Sequence, residues 1–128
     1  MRRILLAGPP LAIMLLAVLP GSSASAGEDE ASAKRAETIA GLVRTIGAQA
    51  GIVLYCRTLY TVDDTVSEGL SRTVRRALDE ALGHKQARAA IAAEGQRVAG
   101  EIATLGAEHW CADQRDILSA DGVRVFID

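Results

Sequence analysis

Residues that bind metals or haem are scarce in this 128-residue sequence. There are two histidines, two cysteines and two methionines, and both methionines, Met1 and Met14, lie in the N-terminal segment. Covalent haem attachment needs a Cys-x-x-Cys-His run, which the sequence lacks, and no methionine after Met14 could ligate haem iron or copper. We therefore expect a protein without a cofactor.

Aromatic residues and positive charge are both too sparse for a nucleic-acid-binding surface. Aromatics make up 3% of the sequence, and the formal net charge is −2. Single-stranded nucleic acids are bound by aromatic stacking platforms in basic grooves, and duplexes are bound through excess positive charge. No nucleic-acid partner is therefore expected.

The first 26 residues have the pattern of a secretory signal peptide. Arg2 and Arg3 give a basic start, residues 11–19 are apolar, and the small residues at 24–26 form a cleavage site. The alternative is an uncleaved membrane anchor, which needs about twenty unbroken apolar residues, and prolines interrupt this segment. We expect cleavage before Gly27, a periplasmic or secreted mature protein, and no stable membrane insertion.

The remaining length is enough for one small domain. Residues 27–32 are polar and predict a flexible N-terminus, and residues 33–128 predict a single helical domain. The leader contains two of the 14 basic residues and none of the 16 acidic ones. The mature chain is therefore more acidic than the whole sequence, which disfavours an anionic membrane surface as its partner.

Apolar residues recur at steps of three and four positions along most of the domain, which predicts helices. The first helical region, either one helix or two broken near Gly47 and Gly51, extends to about Leu59. The stripe expected to face the core contains Ile39, Leu42, Val43, Ile46, Ala50, Val53 and Leu54.

Capping patterns and glycines bound the next two helices. Thr61 and Thr65 each precede an acidic residue by three positions, so a second helix starts close to them and ends at Gly83. Gly106 ends a third helix, which is rich in alanine and glycine. Within it, Gly95 marks either a close contact with a neighbouring helix or a face that points to solvent.

A fourth helix is predicted over residues 107–120, with Ile117 in the core. Residues 123–127 alternate like a strand, but the sequence shows no second strand, so we expect an extended tail packed on the helices. Short connections favour antiparallel neighbours. The sequence therefore predicts an all-α fold: a small four-helix bundle clamped by one disulfide, with a short extended C-terminal tail.

The only two cysteines, Cys56 and Cys111, predict that disulfide. An even pair in a small exported domain is most simply a structural bond, and redox chemistry typically uses closer spacing such as Cys-x-x-Cys. The bond would join the end of the first helical region to the last helix. Trp110 beside it is expected to fill the core, and the alternative is an exposed binding anchor.

The candidate site residues are weak, and none is catalytic. Arg72 and Arg76 belong to the densest basic cluster and are the candidates for contacting an anionic partner. The third arginine of the cluster is Arg75. Each of the three arginines has an acid four positions away that is expected to pair with it: Glu68 with Arg72, Asp79 with Arg75 and Glu80 with Arg76. His109 and Asp113 have a spacing that could place two metal ligands on one helix face, but zinc sites need more ligands than these. Solvated polar residues are the simpler interpretation.

These observations favour an exported, non-enzymatic helical interaction module of the bacterial cell envelope. It would act as an inhibitor, protective or accessory protein for another exported protein. One alternative is a carrier of a small apolar ligand, because helices rich in alanine and glycine can leave a cavity between them. The other is a periplasmic acid-stress chaperone, to which the chain is similar only in its overall plan.

Overall fold

The computed structural model describes residues 22–127, with side chains from Gly27 onward. It contains four helices: α1 (Ser22–Tyr55), α2 (Asp64–Leu82), α3 (His84–Leu105) and α4 (Ala107–Ala120). The only β-structure in this part of the chain is one antiparallel bridge between Val62 and Phe126. The predicted all-α four-helix bundle with one disulfide and a short extended tail is confirmed.

α1 is one continuous helix, so of the two alternatives for the first helical region the single helix is the one observed. Residues 27–32 are helical and exposed, and their flexibility stays a prediction. Most of the predicted signal peptide, residues 1–21, lies outside the described residues. The predicted cleavage point before Gly27 falls in the first turns of α1.

α2 runs antiparallel to α1, and α3 runs in the same direction as α1. The guanidinium of Arg35 in α1 donates to the carbonyl of Ala81 at the end of α2 (2.9 Å). α3 contacts α1 at Gly47, where a Cβ atom would lie 2.5 Å from Cγ of Glu94, and one turn further along both helices at Gly51, where it would lie 3.0 Å from Cγ1 of Val98. The C-terminal ends of α1 and α3 therefore lie at the same end of the bundle. This end also contains the disulfide and is called the disulfide end.

The helix ends follow local signals in the sequence. The cap of α2 is Asp63, which lies between the two threonines of the predicted capping boxes; its carboxylate accepts from the backbone N–H of Val66 (3.2 Å). Single glycines, Gly83 and Gly106, separate α2 from α3 and α3 from α4, with φ of 79° and 86°. Only glycine adopts such backbone angles without strain, which explains why both helices end there.

The core consists of two apolar clusters along α1. One lies at the disulfide end and contains Ile52, Cys56, Val98, Ile102, Trp110, Cys111 and Val125. The other lies towards the turn between α2 and α3 and contains Ile46, Val74, Leu78 and Ala87. Gln49 and Ser67 are buried between them.

Several residues expected in the core are exposed. Leu54 is 74% exposed and Ile117 is 53% exposed, and Ala50 also faces solvent. The first half of the predicted α1 stripe does pack in the core, at Ile39, Leu42, Val43 and Ile46. Further along α1, Gly47 and Gly51 face α3 and α4, so the side of the helix that includes Ala50 and Leu54 is left exposed.

Of the two alternatives for Gly95, the close helix contact is not the one observed. A Cβ atom at Gly95 would meet nothing within 4 Å, apart from the helix's own backbone and neighbouring residues. The close approach occurs instead at the two glycines of α1, so the small residues of α3 leave space rather than a tight contact.

The disulfide between Cys56 and Cys111 is present, with Cα atoms 5.6 Å apart. Both cysteines are fully buried, and Trp110 beside them is only 2% exposed. A bond across 55 residues restricts the unfolded chain by about 4 kcal/mol in the chain-entropy model. The expected placement of Trp110 in the core is confirmed.

The tail packs against the connection between α1 and α2. The backbone N–H of Asp63 donates to the carbonyl of Val125 (2.7 Å), and that of Ile127 donates to Thr61 (3.0 Å). The rings of Tyr60 and Phe126 meet edge to face with centroids 5.6 Å apart. Val125 is fully buried, so the tail completes the core cluster at the disulfide end.

Among the described helices, α1 from Gly27 to Tyr55 is apolar and long enough to cross a membrane, with a mean hydropathy of 1.3 in its most apolar window. Signal sequences and the core helices of bundles can be equally long and apolar. A disulfide and an apolar N-terminal helix are both compatible with export.

Candidate functional site

An open groove of about 540 Å³ is lined by α1, α2 and α3. Its α1 side is mainly apolar and includes Ile46, Ala50 and Val53. The other sides contribute serine, acidic and basic side chains from α2, and Ile91 from α3. The groove is within the volume range of small-molecule sites.

Small residues create this groove. Ala50 and Gly47 line it from α1, and Gly95 lines it from α3. These side chains are too small to fill the space between the helices, and the position of a Cβ atom at Gly95 is open. The small residues of α3, which could have allowed a tight helix contact, therefore leave a concave surface instead.

A buried polar pair also lines the groove. Ser67 donates from Oγ to Oε1 of Gln49 at 2.8 Å, and both residues are almost completely buried. Buried polar groups need such partners because an unpaired one is costly to remove from water. The pair fixes α2 against α1 where the two apolar clusters meet.

An ion pair lies at one side of the groove. The guanidinium of Arg57 is 2.7 Å from the carboxylate of Asp64, and about half of each side chain is exposed. Exposed pairs of this kind contribute little to stability. Arg57 is therefore held near the groove, but it is not a structural anchor.

A second cavity of about 270 Å³, the corner pocket, lies where α2 turns into α3. It is lined by Arg75, Asp79, His84, Arg88 and Ile91. Nδ1 of His84 is 3.3 Å from the carboxylate of Asp79, and Nε2 of His84 is 2.8 Å from a guanidinium nitrogen of Arg88. Because Arg75 and Ile91 line both cavities, the corner pocket adjoins the groove.

Large apolar side chains are exposed at the disulfide end. Ile127 of the tail, whose N–H donates to Thr61 at this end, is 62% exposed. On the helices and the connection they are Leu54 (74% exposed), Tyr55 (41%), Leu59 (42%) and Leu105 (46%). These four residues, called the disulfide-end surface, lie on the last turns of α1 and α3 and on the connection that follows α1. Scattered exposed apolar residues are ordinary, whereas a concentration of them at one end of a small domain is characteristic of a binding surface.

The residues singled out in the sequence do not form one site. Arg72 and Arg76 are exposed on α2 and line neither the groove nor the corner pocket. The ion pairs expected for the basic cluster are absent among the described residues, whose closest charge pairs are elsewhere. Trp110 is in the core.

His109 and Asp113 do come together. Nε2 of His109 is 3.4 Å from the carboxylate of Asp113, and both side chains are more than half exposed. Residues 22–127 contain no group of three or more histidine, cysteine, aspartate or glutamate side chains that could hold a metal ion. The contact is an exposed side-chain pair on α4.

The sequence interpretation missed a charged trio on α3. Arg97 binds both carboxylate oxygens of the nearly buried Glu94, at 2.7–3.0 Å, and also binds Glu101 at 2.6 Å. The hydrogen bonds that Arg97 donates to these carboxylates, first that to Glu94, raise the pKa of Arg97 further above its ordinary value. The i,i+3 and i,i+4 spacings were the available signal. Arg97 stays charged, so the trio is suited to holding Glu94 in place.

No protein-family model matches this chain, and neither a curated protein nor a solved structure is significantly similar to it. What the protein binds must therefore follow from its own geometry. Three features of the described residues carry that argument: the groove, the corner pocket and the disulfide-end surface.

Proposed function

We propose that this protein is an exported, non-enzymatic helical interaction module of the bacterial cell envelope. It resides in the periplasm or is secreted, and it binds another exported protein through the disulfide-end surface. Its partner is inhibited, protected or assisted by this contact.

The observation that carries the proposal is the exposure of four large apolar side chains at one end of the bundle. Covering such a side chain stabilises a complex by about 1.5–3 kcal/mol before the costs of association. Leu54 is the most exposed of them, and it projects from the rigid end of α1 rather than from a mobile loop. A partner would gain most by covering this residue.

The disulfide also supports binding at this end. Cys56 directly follows Tyr55, and its bond to Cys111 fixes the end of α1 to α4. A surface that is already ordered loses little conformational entropy when a partner binds. A disulfide persists mainly in oxidising compartments, which supports export together with the leader pattern.

The test is affinity capture from periplasmic extract with the oxidised protein as bait, read by quantitative mass spectrometry. Wild type should enrich a partner, and Leu54→Ser should lose it. Ile117→Ser is the matched control, because it replaces another exposed aliphatic residue on a different helix. If Leu54→Ser and wild type enrich the same proteins equally, the disulfide-end surface is not the contact.

A second candidate function is supported by the groove. Its volume of about 540 Å³ and its apolar α1 side suit a carrier of a small apolar ligand. Native mass spectrometry of protein recovered from the exported fraction should then show added non-covalent mass. Protein that binds no apolar ligand, either as recovered or after addition of one, would contradict this function.

A further inference from the structure

We infer that the corner pocket binds the anionic head of a single-chain amphiphile, such as a fatty acid, whose alkyl chain lies in the groove. This inference deepens the carrier function proposed above and rests on it. It identifies the ligand by two chemical properties, an unbranched apolar chain and a negatively charged group at one end.

The position of the two cavities next to each other is the first argument. Arg75 and Ile91 line both the groove and the corner pocket. A ligand whose chain contacts Ile91 in the groove would therefore bring its head close to the guanidinium of Arg75. Apolar and cationic groups are next to each other, as an amphiphile requires.

The charges in the corner pocket are the second argument. Two guanidiniums, those of Arg75 and Arg88, face one carboxylate, that of Asp79. Asp79 is already engaged with His84, and the described residues give Arg75 no ion pair. The pocket thus retains uncompensated positive charge, which favours an anion.

His84 positions one of these guanidiniums. With its Nδ1 proton directed to Asp79, its Nε2 atom accepts a hydrogen bond from Arg88, which assigns the tautomer from the contacts. The relay Asp79–His84–Arg88 holds Arg88 at the pocket while its remaining N–H groups stay available. Guanidinium groups bind carboxylates through paired hydrogen bonds, which makes a carboxylate the preferred head.

The apolar α1 side of the groove favours an alkyl chain. From Ile46 to Val53, α1 presents apolar side chains to the groove over about 10 Å of helix, at 1.5 Å per residue. An extended peptide would place backbone amide groups against this side, where Ile46, Ala50 and Val53 offer them no hydrogen bonds. An alkyl chain has no such groups to satisfy.

Isothermal titration calorimetry with delipidated, oxidised protein tests the inference. The probes are dodecanoate and dodecan-1-ol, both below their aggregation limits, which share a chain and differ in the charged head. Wild type should bind the acid about five- to tenfold more tightly than the alcohol, a difference typical of charge-assisted hydrogen bonds at a partly exposed site.

Two double variants locate the effect. Arg75→Gln with Arg88→Gln should lower the affinity for the acid to that for the alcohol, so that the preference for the acid is lost. Arg72→Gln with Arg76→Gln changes the net charge equally but lies outside both cavities, so it should keep the preference. Circular dichroism spectra of both variants should match wild type.

The results separate this inference from the carrier function. Equal affinity of wild type for acid and alcohol would overturn the anion pocket while the carrier function stands. If neither probe binds, both are overturned. If the control variant loses the preference as fully as the pocket variant, the effect is general electrostatics, and the pocket assignment is wrong.

Discussion

The indole of Trp110 packs directly against Gly51 of α1. A Cβ atom at Gly51 would lie 2.7 Å from Cη2 of Trp110 and 3.0 Å from Cγ1 of Val98. Real Cβ atoms essentially never come closer than 3.0 Å to such neighbours. The absence of a side chain at this position is therefore what lets the tryptophan lie beside the disulfide.

Gly51→Ala should destabilise the protein. Trp110 is buried and cannot move aside freely, so the added methyl group should cost about 1–3 kcal/mol in the free energy of unfolding. Gly41→Ala is the control, since its Cβ atom would meet nothing within 4 Å and alanine favours a helix by roughly 0.5–1 kcal/mol. Urea unfolding measures both. Equal stability of the two variants would show that the indole does not rest on Gly51.

Ser67→Ala should destabilise the protein more than Ser71→Ala does. The first change leaves the buried Oε1 of Gln49 without its donor, at a cost of about 1–3 kcal/mol. Ser71 lies one turn further along α2 and is partly exposed, so its loss should change stability by less than about 0.5 kcal/mol. Thermal unfolding compares them, and a smaller effect at Ser67 would contradict the pairing.

Arg97→Gln should leave Glu94 as a buried carboxylate without its ion-pair partner. We expect a loss of about 1–3 kcal/mol, less than for a fully buried pair because half of the Arg97 side chain is exposed. Arg72→Gln, at an exposed arginine without a described ion pair, should be nearly neutral.

The effect of Arg97→Gln should not vary near neutral pH. The pKa of Arg97 is raised by its hydrogen bonds to Glu94 and Glu101, so its contribution to stability is fully present below the ordinary arginine pKa, far above neutral pH, and is lost only as pH rises through the folded pKa. Urea unfolding at pH 6 and pH 8 should therefore give the same difference from wild type. If the stability difference between Arg97→Gln and wild type changes between pH 6 and pH 8, another titrating group causes the effect.

Gly95→Leu should fill the groove without weakening the fold. The added side chain meets open space, and leucine is a better helix former than glycine, so the melting temperature should be unchanged or higher. Binding of dodecan-1-ol should be lost. Gly100→Leu, also in α3 and with an open Cβ position, lies outside the groove and should keep binding. Binding retained by Gly95→Leu would place the ligand elsewhere.

The helix order and the disulfide could be predicted because their signals are local or few in number. Gly83 and Gly106 require backbone angles that end a helix, and a chain with only two cysteines allows a single intramolecular bond. The tail was predicted as extended, but its bridge between Val62 and Phe126 was not, because one bridge needs no recognisable strand.

Apolar spacing predicted the buried face of α1 from Ile39 to Ile46 but not beyond it, where Ala50 and Leu54 are exposed. Gly47 and Gly51 add nothing to an apolar stripe, yet they determine which side of the helix meets α3 and α4. The same limit applies to the corner pocket, which joins Arg75 of α2 to Arg88 of α3. Their proximity depends on how the turn at Gly83 orients the two helices, which spacing along the chain does not specify.

The disulfide also bears on when this domain can become fully cross-linked. Cys56 and Cys111 are separated by 55 residues, roughly 190 Å of fully extended chain, and all of α2 and α3 lies between them. In a chain that crosses a membrane unfolded and N-terminus first, Cys56 emerges with a free thiol long before its partner does. Covalent closure then follows the passage of both middle helices, and until that moment the thiol of Cys56 is open to exchange with other thiols and disulfides.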